Sequence, residues 1–514
     1  MQLKQGTIFL MVTGMTSLTF YGGVDEIGGN KILLEDRDTR IFLDFGMSFS
    51  QSGKYFSEFL NPRKCNGIRD FTVTGLIPDI PGIYRQDYLR HMGQKKEERS
   101  VDAVLISHAH MDHVAYVHHL RRDVEIVMSQ GSHAILSSLE ETGRTGWQDY
   151  LTFSPSFMLK RKKRGEGYTK VTKRDGVYDR PIKVLEPGDR YKIGSIEIIP
   201  LAVDHSLPGA TSYLIHTSED TILYTGDFRF HGHFGKKTEK MVDVVSGEKI
   251  DAIIIEGTRI NEPSSTSEKD VQSHALKLIQ DTKGLAVITF PPRDLTRMLT
   301  FHRIAQETGR KLVIGFKQAH MIEQFAKVCD DFPKVDDPNI CLFADRKGWG
   351  AVGRYDIPSS IPGVNIPRNI CDQDYATWER KYLDYQNTIS YLDLQNQSEY
   401  ILFCSYFLLN ELVDIDPVPG SRYIRSITEP FSDEMRLDAE RVINWLNLFN
   451  LELHGMKQTD RLHASGHASG PEIKETLSKI KPGCVYPVHT EHPEIFQESE
   501  HQVIQVKKGF TYNL

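Results

Sequence analysis

The chain has 514 residues, of which 39% are hydrophobic and 25% are charged, and its formal net charge is −7. This length predicts roughly two to four domains with a large buried core, and no apolar run approaches the roughly 18 residues that a membrane span needs. The acidic net charge by itself gives no support to a nucleic-acid partner, so any contact with a polyanion has to be local.

The six cysteines are scattered along the chain and include no Cys-x-x-Cys pair. This pattern favours a reducing compartment and argues against a zinc site made of cysteines. The apolar stretch at residues 7–12 is short and is not followed by a small-residue cleavage site, which disfavours a secretory signal. We therefore expect a cytoplasmic protein that does not enter a membrane.

The first 255 residues or so predict short β-rich segments. Residues 30–35 and 39–44 are apolar runs separated by a turn, which indicates a hairpin. Residues 101–107 form an apolar strand that ends in a histidine-rich run, and further strands are predicted at residues 195–203, 210–216 and 221–224. Strand ends that carry polar residues are typical of a layered site in an α/β or sandwich fold.

Two segments, residues 48–100 and 144–185, interrupt this pattern and are interpreted as insertions at the rim of the fold. Within the second, residues 160–174 contain eight basic residues and a single acidic one, Glu166, which indicates either a solvated surface loop or a patch that follows phosphates. Both interpretations stay open at this point. The basic residues are Lys160, Arg161, Lys162, Lys163, Arg164, Lys170, Lys173 and Arg174.

From about residue 258 to residue 455 strands alternate with amphipathic helices, which predicts a parallel-sheet α/β domain. The helices are expected at 270–281, 295–306 and 319–328, and the strands at 284–290 and 311–315. Histidines that are candidate metal ligands appear again after residue 451, so such residues flank the α/β unit on both sides. We therefore expect one domain with a second domain inserted into it. The predicted division is 1–257 and 456–514 for the two parts of the first domain, and 258–455 for the insertion.

The run at residues 108–113 carries four candidate metal ligands: His108, His110, Asp112 and His113. A divalent metal that activates water needs several imidazoles or carboxylates that converge and leave a position open. Ligands this dense cannot all point one way on a regular strand or helix, so the run predicts a turn wrapped around a cation.

The run resembles the signature motif of the metallo-β-lactamase superfamily, and Asp44, His205 and Asp227 resemble further stations of that family in its order. The resemblance implies an α/β fold built as an αββα sandwich with two divalent ions, Zn²⁺ favoured by the histidines and Mn²⁺ left open by the carboxylates. It implies one ion on His108, His110 and His205, a second on Asp112, His113 and His489, Asp227 between them, and Asp44 as a brace behind the histidine loop.

Glu256, His467 and His489 resemble the three motifs of the β-CASP nuclease branch, in which a parallel-sheet α/β domain is inserted into the lactamase-type core. The resemblance implies that a hydroxide held between the two metal ions, beside Asp227, attacks the phosphorus atom of the substrate. His467 would then donate a proton to the leaving oxygen, and Glu256 would hold His467 charged.

Within that branch, the segment at residues 463–467 most resembles the ribonuclease J group, where this loop binds a phosphate of the substrate. Gly466 would let the backbone approach closely, and Ser465 and Ser469 would offer hydroxyl groups. One departure is Pro291 and Pro292 after Phe290, where the group has a hydroxyl and a backbone donor. The implied substrate-binding residues are His463, Ala464, Ser465, Gly466, His467 and Ser469.

The resulting hypothesis is a metal-dependent ribonuclease that takes single-stranded RNA, as a 5′-3′ exonuclease with endonuclease activity left open. The alternatives are a DNA nuclease, a small-substrate hydrolase such as a phosphodiesterase or thioesterase, and a non-catalytic nucleic-acid-binding protein. The complete ligand set disfavours the last of these. Homodimerisation is left open by the sequence.

Overall fold

A computed structural model describes residues 16–514 except residues 58, 144–147, 172–175, 349, 351–356, 359–360, 367–371, 431–432 and 499. Lys173 and Arg174 of the basic segment and the stretch at 7–12 therefore lie outside the described residues. In the part of the chain that is described, no helix has the length and apolar character needed to cross a membrane.

Two seven-stranded sheets face each other and share one core. The first sheet has the order β10-β5-β4-β3-β2-β1-β27, and the second has the order β11-β12-β13-β14-β15-β25-β26. Side chains such as Phe20 and Ile41 of the first sheet pack with Ile198 and Tyr213 of the second in a single buried cluster. The first sheet consists of β1 (Ser17–Gly22), β2 (Lys31–Asp36), β3 (Thr39–Leu43), β4 (Ala103–Leu105), β5 (Glu125–Ser129), β10 (Ile182–Leu185) and β27 (Thr511–Asn513), and the second of β11 (Tyr191–Ile193), β12 (Ile196–Ala202), β13 (Thr211–His216), β14 (Thr221–Tyr224), β15 (Ala252–Glu256), β25 (Cys484–Val488) and β26 (Gln502–Val503).

The predicted hairpin is confirmed, since β2 and β3 pair antiparallel from Ile32 with Leu43 to Asp36 with Thr39. Five of the six residues of β2 are buried, because helices and loops cover the outer face of its sheet as well. Helices lie outside both sheets, which completes the expected αββα sandwich. These helices are α1 (Phe49–Gly53), α2 (Arg69–Val73), α3 (Gln86–His91), α4 (Met111–Val114), α5 (Gln130–Thr142), α6 (Gly235–Val245) and α12 (Gly470–Ile480).

The segment at residues 48–100 is more than an insertion at the rim. Phe71, Ile77, Ile83 and Tyr88 are buried in the same apolar cluster as Val104 of the first sheet. The expectation of a purely peripheral insertion is therefore wrong for this segment, because its apolar side chains cover the outer face of the sandwich.

A third sheet, entirely parallel, has the order β21-β18-β17-β22-β16-β23-β24. Its elements confirm the predicted strand and helix alternation. The strands are β16 (Ala286–Thr289), β17 (Lys311–Gly315), β18 (Ile340–Phe343), β21 (Thr388–Ile389), β22 (Tyr400–Phe403), β23 (Arg422–Arg425) and β24 (Glu452–His454), and the helices are α7 (Glu268–Gln280), α8 (Leu295–Thr308), α9 (Phe316–Phe325), α10 (Leu412–Ile415) and α11 (Asp433–Leu448).

The chain leaves the sandwich after β15 and returns in β25, and these two strands are parallel neighbours in the second sheet. Everything from α7 to β24 lies between them in sequence. The division at residues 257 and 455 stays our proposal. Helix α7 begins two residues earlier than expected because Ser267 and Asp270 form a reciprocal N-terminal cap.

Three short antiparallel ribbons complete the strands: β6 (Thr152–Phe153) with β9 (Tyr178–Asp179), β7 (Leu159–Arg161) with β8 (Tyr168–Lys170), and β19 (Ile357–Pro358) with β20 (Asn365–Ile366). The β7–β8 ribbon carries the exposed basic residues of the second insertion. Short 3-10 helices cover Lys64–Asn66, Ala115–His119, Asp372–Asp374, Arg380–Asp384, Tyr391–Asp393, Gln397–Glu399, Tyr406–Glu411, Gln458–Asp460 and Pro493–Glu498.

Candidate metal centre

The histidine run turns directly after β4 and enters the short helix α4. His108 and His110 lie in the turn, where His110 precedes the first helical residue, and Asp112 and His113 lie on the helix. The turn packs closely against Gly46, since a Cβ atom added there would lie 1.6 Å from the Asp112 carbonyl oxygen. Only glycine tolerates this approach, which places the loop after β3 directly behind the ligands.

Asp44 braces the turn from behind. Its carboxylate accepts hydrogen bonds from Ser107 N and Ser107 Oγ, each at 2.7 Å, and from His113 Nδ1 at 2.7 Å. Because a carboxylate only accepts, His113 carries its proton on Nδ1 and turns Nε2 toward the centre. Asp44 has a φ of 57°, a left-handed conformation that Asp adopts more readily than most residues.

The first group of ligands comprises His108, His110, His205 and Asp227, whose donor atoms lie within 4.8 Å of one another. His110 Nδ1 lies 2.9 Å from His108 Nε2 and 3.0 Å from His205 Nε2. His205 Nδ1 donates to the Gly466 carbonyl at 2.6 Å, so its Nε2 faces the group with a lone pair.

The second group comprises Asp112, His113 and His489. His489 Nε2 lies 3.2 Å from Asp112 Oδ2 and 3.7 Å from Asp227 Oδ2. Asp227 Oδ2 also lies 3.2 Å from His113 Nε2 and 3.6 Å from His108 Nε2. Asp227, a member of the first group, therefore also lies close to His113 and His489 of the second, and its role between two ions stays a prediction.

The donor set fits divalent metal ions. Burial lowers the pKa of His110 to about 4 and holds the pKa values of His108 and His205 well below the usual range, which leaves these rings neutral. Since a neutral ring nitrogen carries at most one proton, His110 Nδ1 cannot donate to both Nε2 atoms beside it, whereas a cation among the three nitrogens would accept a lone pair from each. Asp227 Oδ1 is also buried and has no hydrogen-bond partner among the described residues, although an unpaired buried acceptor is costly.

Glu256 and His467 meet beside this centre although 211 positions separate them. Both Glu256 oxygens lie 3.1 Å from His467 Nδ1, and Asp227 Oδ2 lies 3.8 Å from the same nitrogen. Burial lowers the pKa of His467, but Glu256 and Asp227 outweigh burial and raise that pKa to about 9. The geometry suits a histidine that holds a proton, although Asp227, Glu256, His467 and His489 are also close enough to form a third metal group.

The predicted substrate segment runs along the other side of His205. A Cβ atom on Gly466 would lie 2.7 Å from His205 Cε1, so glycine permits the contact between the loop and this ligand. Ser469 has a structural role that the sequence did not indicate. It caps α12, and its hydroxyl donates to Glu472 at 2.9 Å, which leaves that hydroxyl proton unavailable to a substrate.

Phe290 and the two prolines after it lead into α8 rather than forming a polar edge. Phe290 is buried and stacks on Phe301, and the Pro291 carbonyl accepts from Asp294 N at 2.8 Å. The predicted absence of a hydroxyl and a backbone donor at this segment agrees with that apolar turn.

Two residues that orient ligands were missed by the sequence reasoning. Thr258 Oγ1 lies 2.8 Å from His489 Nδ1 and donates to the His489 carbonyl, which makes it the acceptor for the Nδ1 proton. Ser107 Oγ lies 3.1 Å from His108 Nδ1. Ser107 directly precedes His108 and Thr258 lies two residues after Glu256, but a lone Ser or Thr at such a position has no distinguishing signal.

Comparison with known proteins supports this description. Residues 76–290 match a model described as a beta-lactamase superfamily domain, and residues 456–500 match a Zn-dependent metallo-hydrolase RNA specificity domain. The two matches cover the metal residues from His108 to Asp227 and the loop that carries His467.

The chain is similar to curated relatives over almost its whole length. It is 21% identical to the ribonuclease J of Mycoplasma genitalium over 490 residues, which are 93% of this chain and 68% of that protein. It is 22% identical to the ribonuclease J 2 of Staphylococcus saprophyticus over 507 residues, 96% of this chain and 73% of that protein. Among solved structures, a protein of unknown function from Enterococcus faecalis superposes with a TM-score of 0.68 at 22% identity, covering 98% of this chain and 100% of that one, which supports the fold.

Proposed function

We propose that this chain, a ribonuclease J-like β-CASP member of the metallo-β-lactamase superfamily, is a metal-dependent ribonuclease that degrades single-stranded RNA in the 5′-3′ direction. The observation that carries the proposal is the meeting of the two metal groups with the Glu256–His467 pair around one carboxylate, that of Asp227. A site that only bound metal would have no need of a charged histidine beside Asp227.

Two ions are proposed, one on His108, His110 and His205 and one on Asp112, His113 and His489, with Asp227 shared. When bound, they supply an activated water molecule and neutralise the charge of a phosphodiester. Zn²⁺ is favoured because imidazoles dominate, and Mn²⁺ is the alternative because carboxylates contribute.

The protein's own residues then have distinct tasks. Asp44 and Thr258 orient His113 and His489 through their Nδ1 atoms, which fixes where the Nε2 atoms point. Glu256 holds a proton on His467 Nδ1, which leaves the protonated Nε2 as the atom that gives its proton to the departing 3′ oxygen. The loop of residues 463–466 would hold the 5′-terminal phosphate and so direct cleavage from that end.

The described cysteines agree with the proposed cytoplasmic location. Cys65, Cys329, Cys341, Cys404 and Cys484 form no disulfide. Free thiols are typical of a reducing compartment. Homodimerisation stays a prediction.

The test is a cleavage assay on matched oligonucleotides. Purified protein is loaded with Zn²⁺ or Mn²⁺ and given a 5′-monophosphorylated RNA, its 5′-triphosphorylated and 5′-hydroxyl forms, and a single-stranded DNA of the same sequence. We expect mononucleotides to be released stepwise from the 5′-monophosphorylated RNA, and the chelated protein to release none. Turnover of small phosphodiesters or thioesters alone, or of DNA in preference to RNA, would contradict the proposal.

A further inference from the structure

The backbone of residues 462–467, called here the 462–467 loop, is held by a cluster of buried charges. The cluster consists of Arg229, which follows β14, Glu268, the first residue of α7, and Arg297 on α8. All three side chains are at most 1% exposed. Helix α8 packs on α7 and on β17, so two members of the cluster belong to helices of the third sheet.

Glu268 lies at the centre of the cluster. Its Oε1 accepts from Arg229 Nη1 at 3.2 Å and from Arg297 Nη2 at 3.1 Å. Its Oε2 accepts from Arg297 Nε and from Thr300 Oγ1, each at 3.0 Å. Burial alone would raise the pKa of Glu268, but Arg297 and Arg229 outweigh burial and hold that pKa far below its usual value. The carboxylate is therefore charged and its lone pairs are fully used.

The guanidinium groups direct some of their remaining N–H donors to carbonyl groups of the loop, while other donors bond to Asp204, Thr296 and Ser426. Arg297 donates from Nη2 to Ala464 O at 3.1 Å and from Nη1 to Leu462 O at 3.4 Å. Arg229 donates from Nη1 to Ser465 O at 3.0 Å, and His231 Nε2 lies 3.0 Å from the same oxygen. Three of the carbonyl groups in the loop thus point toward the cluster.

The planar trans peptide then decides where the amide groups point. In such a peptide the C=O of one residue and the N–H of the next are antiparallel, so the N–H groups of His463, Ser465 and Gly466 point away from the cluster. Within the described part of the chain, none of these three N–H groups has an acceptor. These three donors point to the side of the loop opposite the cluster, where an anion would be able to accept from them.

Stability alone is a poor reason for such a cluster. Burying charges costs hydration, and a buried ion pair is often no more stabilising than apolar side chains of the same volume. A guanidinium does offer several donors in a rigid fork, which allows Arg297 to bind Glu268 and two loop carbonyl groups at once. The arrangement is thus suited to fixing a backbone geometry.

We propose that Glu268 and Arg297 are positioning residues, which hold the 462–467 loop in the conformation that presents its amide groups to the 5′-phosphate of RNA. Helices that pack on the third sheet would thereby determine which 5′ end of RNA the loop prefers. The loop itself follows the third sheet in sequence and precedes β25 of the sandwich. The proposal rests on the proposed ribonuclease function for its substrate, but the conformation of the loop can be measured without any cleavage.

The primary variant is Arg297→Lys, which keeps the charge beside Glu268 and loses the fork that reaches Ala464 and Leu462. Hydrogen–deuterium exchange should show faster exchange in the peptide that covers residues 462–468, with the exchange of β25 unchanged. In the cleavage assay we expect kcat/KM on 5′-monophosphorylated RNA to fall by about tenfold, the equivalent of one or two lost hydrogen bonds. The effect on 5′-hydroxyl RNA should be smaller, and the metal content should match the wild type.

The matched control is Glu141→Gln, which also removes a carboxylate that contacts a helix of the third sheet. Glu141 lies on α5 of the sandwich, and its Oε2 lies 2.8 Å from His320 Nε2 on α9. It should change neither the exchange of the loop nor the end preference. Glu268→Gln is the second variant, because its amide group would place a donor against donors and the loop should loosen further.

The two readouts separate the two proposals. A wild type without activity on RNA would contradict the proposed function, while faster loop exchange in Arg297→Lys would still support the positioning role. A folded Arg297→Lys protein with wild-type loop exchange and wild-type end preference would overturn the positioning proposal. If Glu268→Gln does not fold, Arg297→Lys alone decides.

Discussion

The two sides of the metal centre are held in place by different means. The turn at residues 108–113 is positioned by its neighbours, since β4 leads into it and Asp44, which follows the adjacent strand β3, bonds to Ser107 and His113. The 462–467 loop instead depends on Arg229 and Arg297, which are distant in sequence and reach its carbonyl groups from elsewhere in the fold. The ligand side should therefore be robust to changes in the third-sheet helices, while the loop side should respond to them.

The largest expected effects separate a proposed metal ligand, His113, from the proposed proton donor, His467. His113→Ala should lose one metal ion per chain and nearly all cleavage, because His113 belongs to the second metal group. His467→Ala should keep the full metal content and still lose roughly 10²- to 10⁴-fold in kcat, as expected when a general acid is removed. Metal analysis of the purified variants beside kcat measurements separates the two cases.

His274→Ala is the control for this pair, since His274 lies on α7 and its Nδ1 bonds to the Asp270 carbonyl of its own helix. It should keep both metal and activity. Loss of metal from His467→Ala would instead make His467 a ligand and would favour the third metal group over the proton-donor role.

A smaller effect, on the pH dependence of stability, is expected from Lys31, which lies behind the turn at residues 108–113. Its buried ammonium donates to the carbonyl groups of Gly29 and Gly46, each at 2.8 Å, behind the turn that carries Asp112. Burial lowers the pKa of Lys31 to about 7, below the value of about 10.4 for an unfolded lysine. The unfolded state therefore binds more protons between these values, so this group makes the folded state more stable as pH rises from 7 toward 10.

The contribution of Lys31 should amount to at most about 2 kcal/mol between pH 7 and pH 9. Lys31→Met should lack this increment, which is measured as the difference in the free energy of unfolding of the sandwich at the two pH values. An identical pH dependence in both proteins would show that Lys31 is not the group responsible.

The smallest expected effect, on the salt dependence of RNA binding, comes from the basic residues of the β7–β8 ribbon. Arg161, Lys162, Lys163 and Arg164 are exposed on β7 and the turn after it, and a flexible RNA backbone would meet them through charge alone. Replacing Lys160, Lys162 and Lys163 by Gln should reduce the salt dependence of RNA binding by about two to three released ions while changing kcat little.

The same number of lysines can be replaced on the exposed face of α6, at Lys236, Lys237 and Lys240, as a control for net charge. A salt slope that falls equally in both triple variants would assign the effect to overall charge. A slope unchanged in the ribbon variant would return the ribbon to the role of a solvated surface loop.

Much of the site followed from the sequence because its chemistry is dense and local. His108, His110, Asp112 and His113 lie within six residues, and few purposes other than a cation explain such a run. The hairpin of β2 and β3 and the alternation of the third sheet were also predictable, since apolar periodicity reports directly on strands and helices. The insertion of a second domain at residues 258–455 stays a prediction, made from the order of the motifs along the chain.

Other features were decided only by the tertiary structure. The bond between Thr258 and His489, the cap role of Ser469 and the burial of residues 68–89 against the first sheet have no signature in the sequence, because each depends on which distant segment packs nearby. The Arg229–Glu268–Arg297 cluster is the clearest case. In sequence it is three ordinary charged residues. Burial makes their hydrogen bonds necessary, and Arg229 and Arg297 thereby bind carbonyl groups of a loop 165 positions or more away.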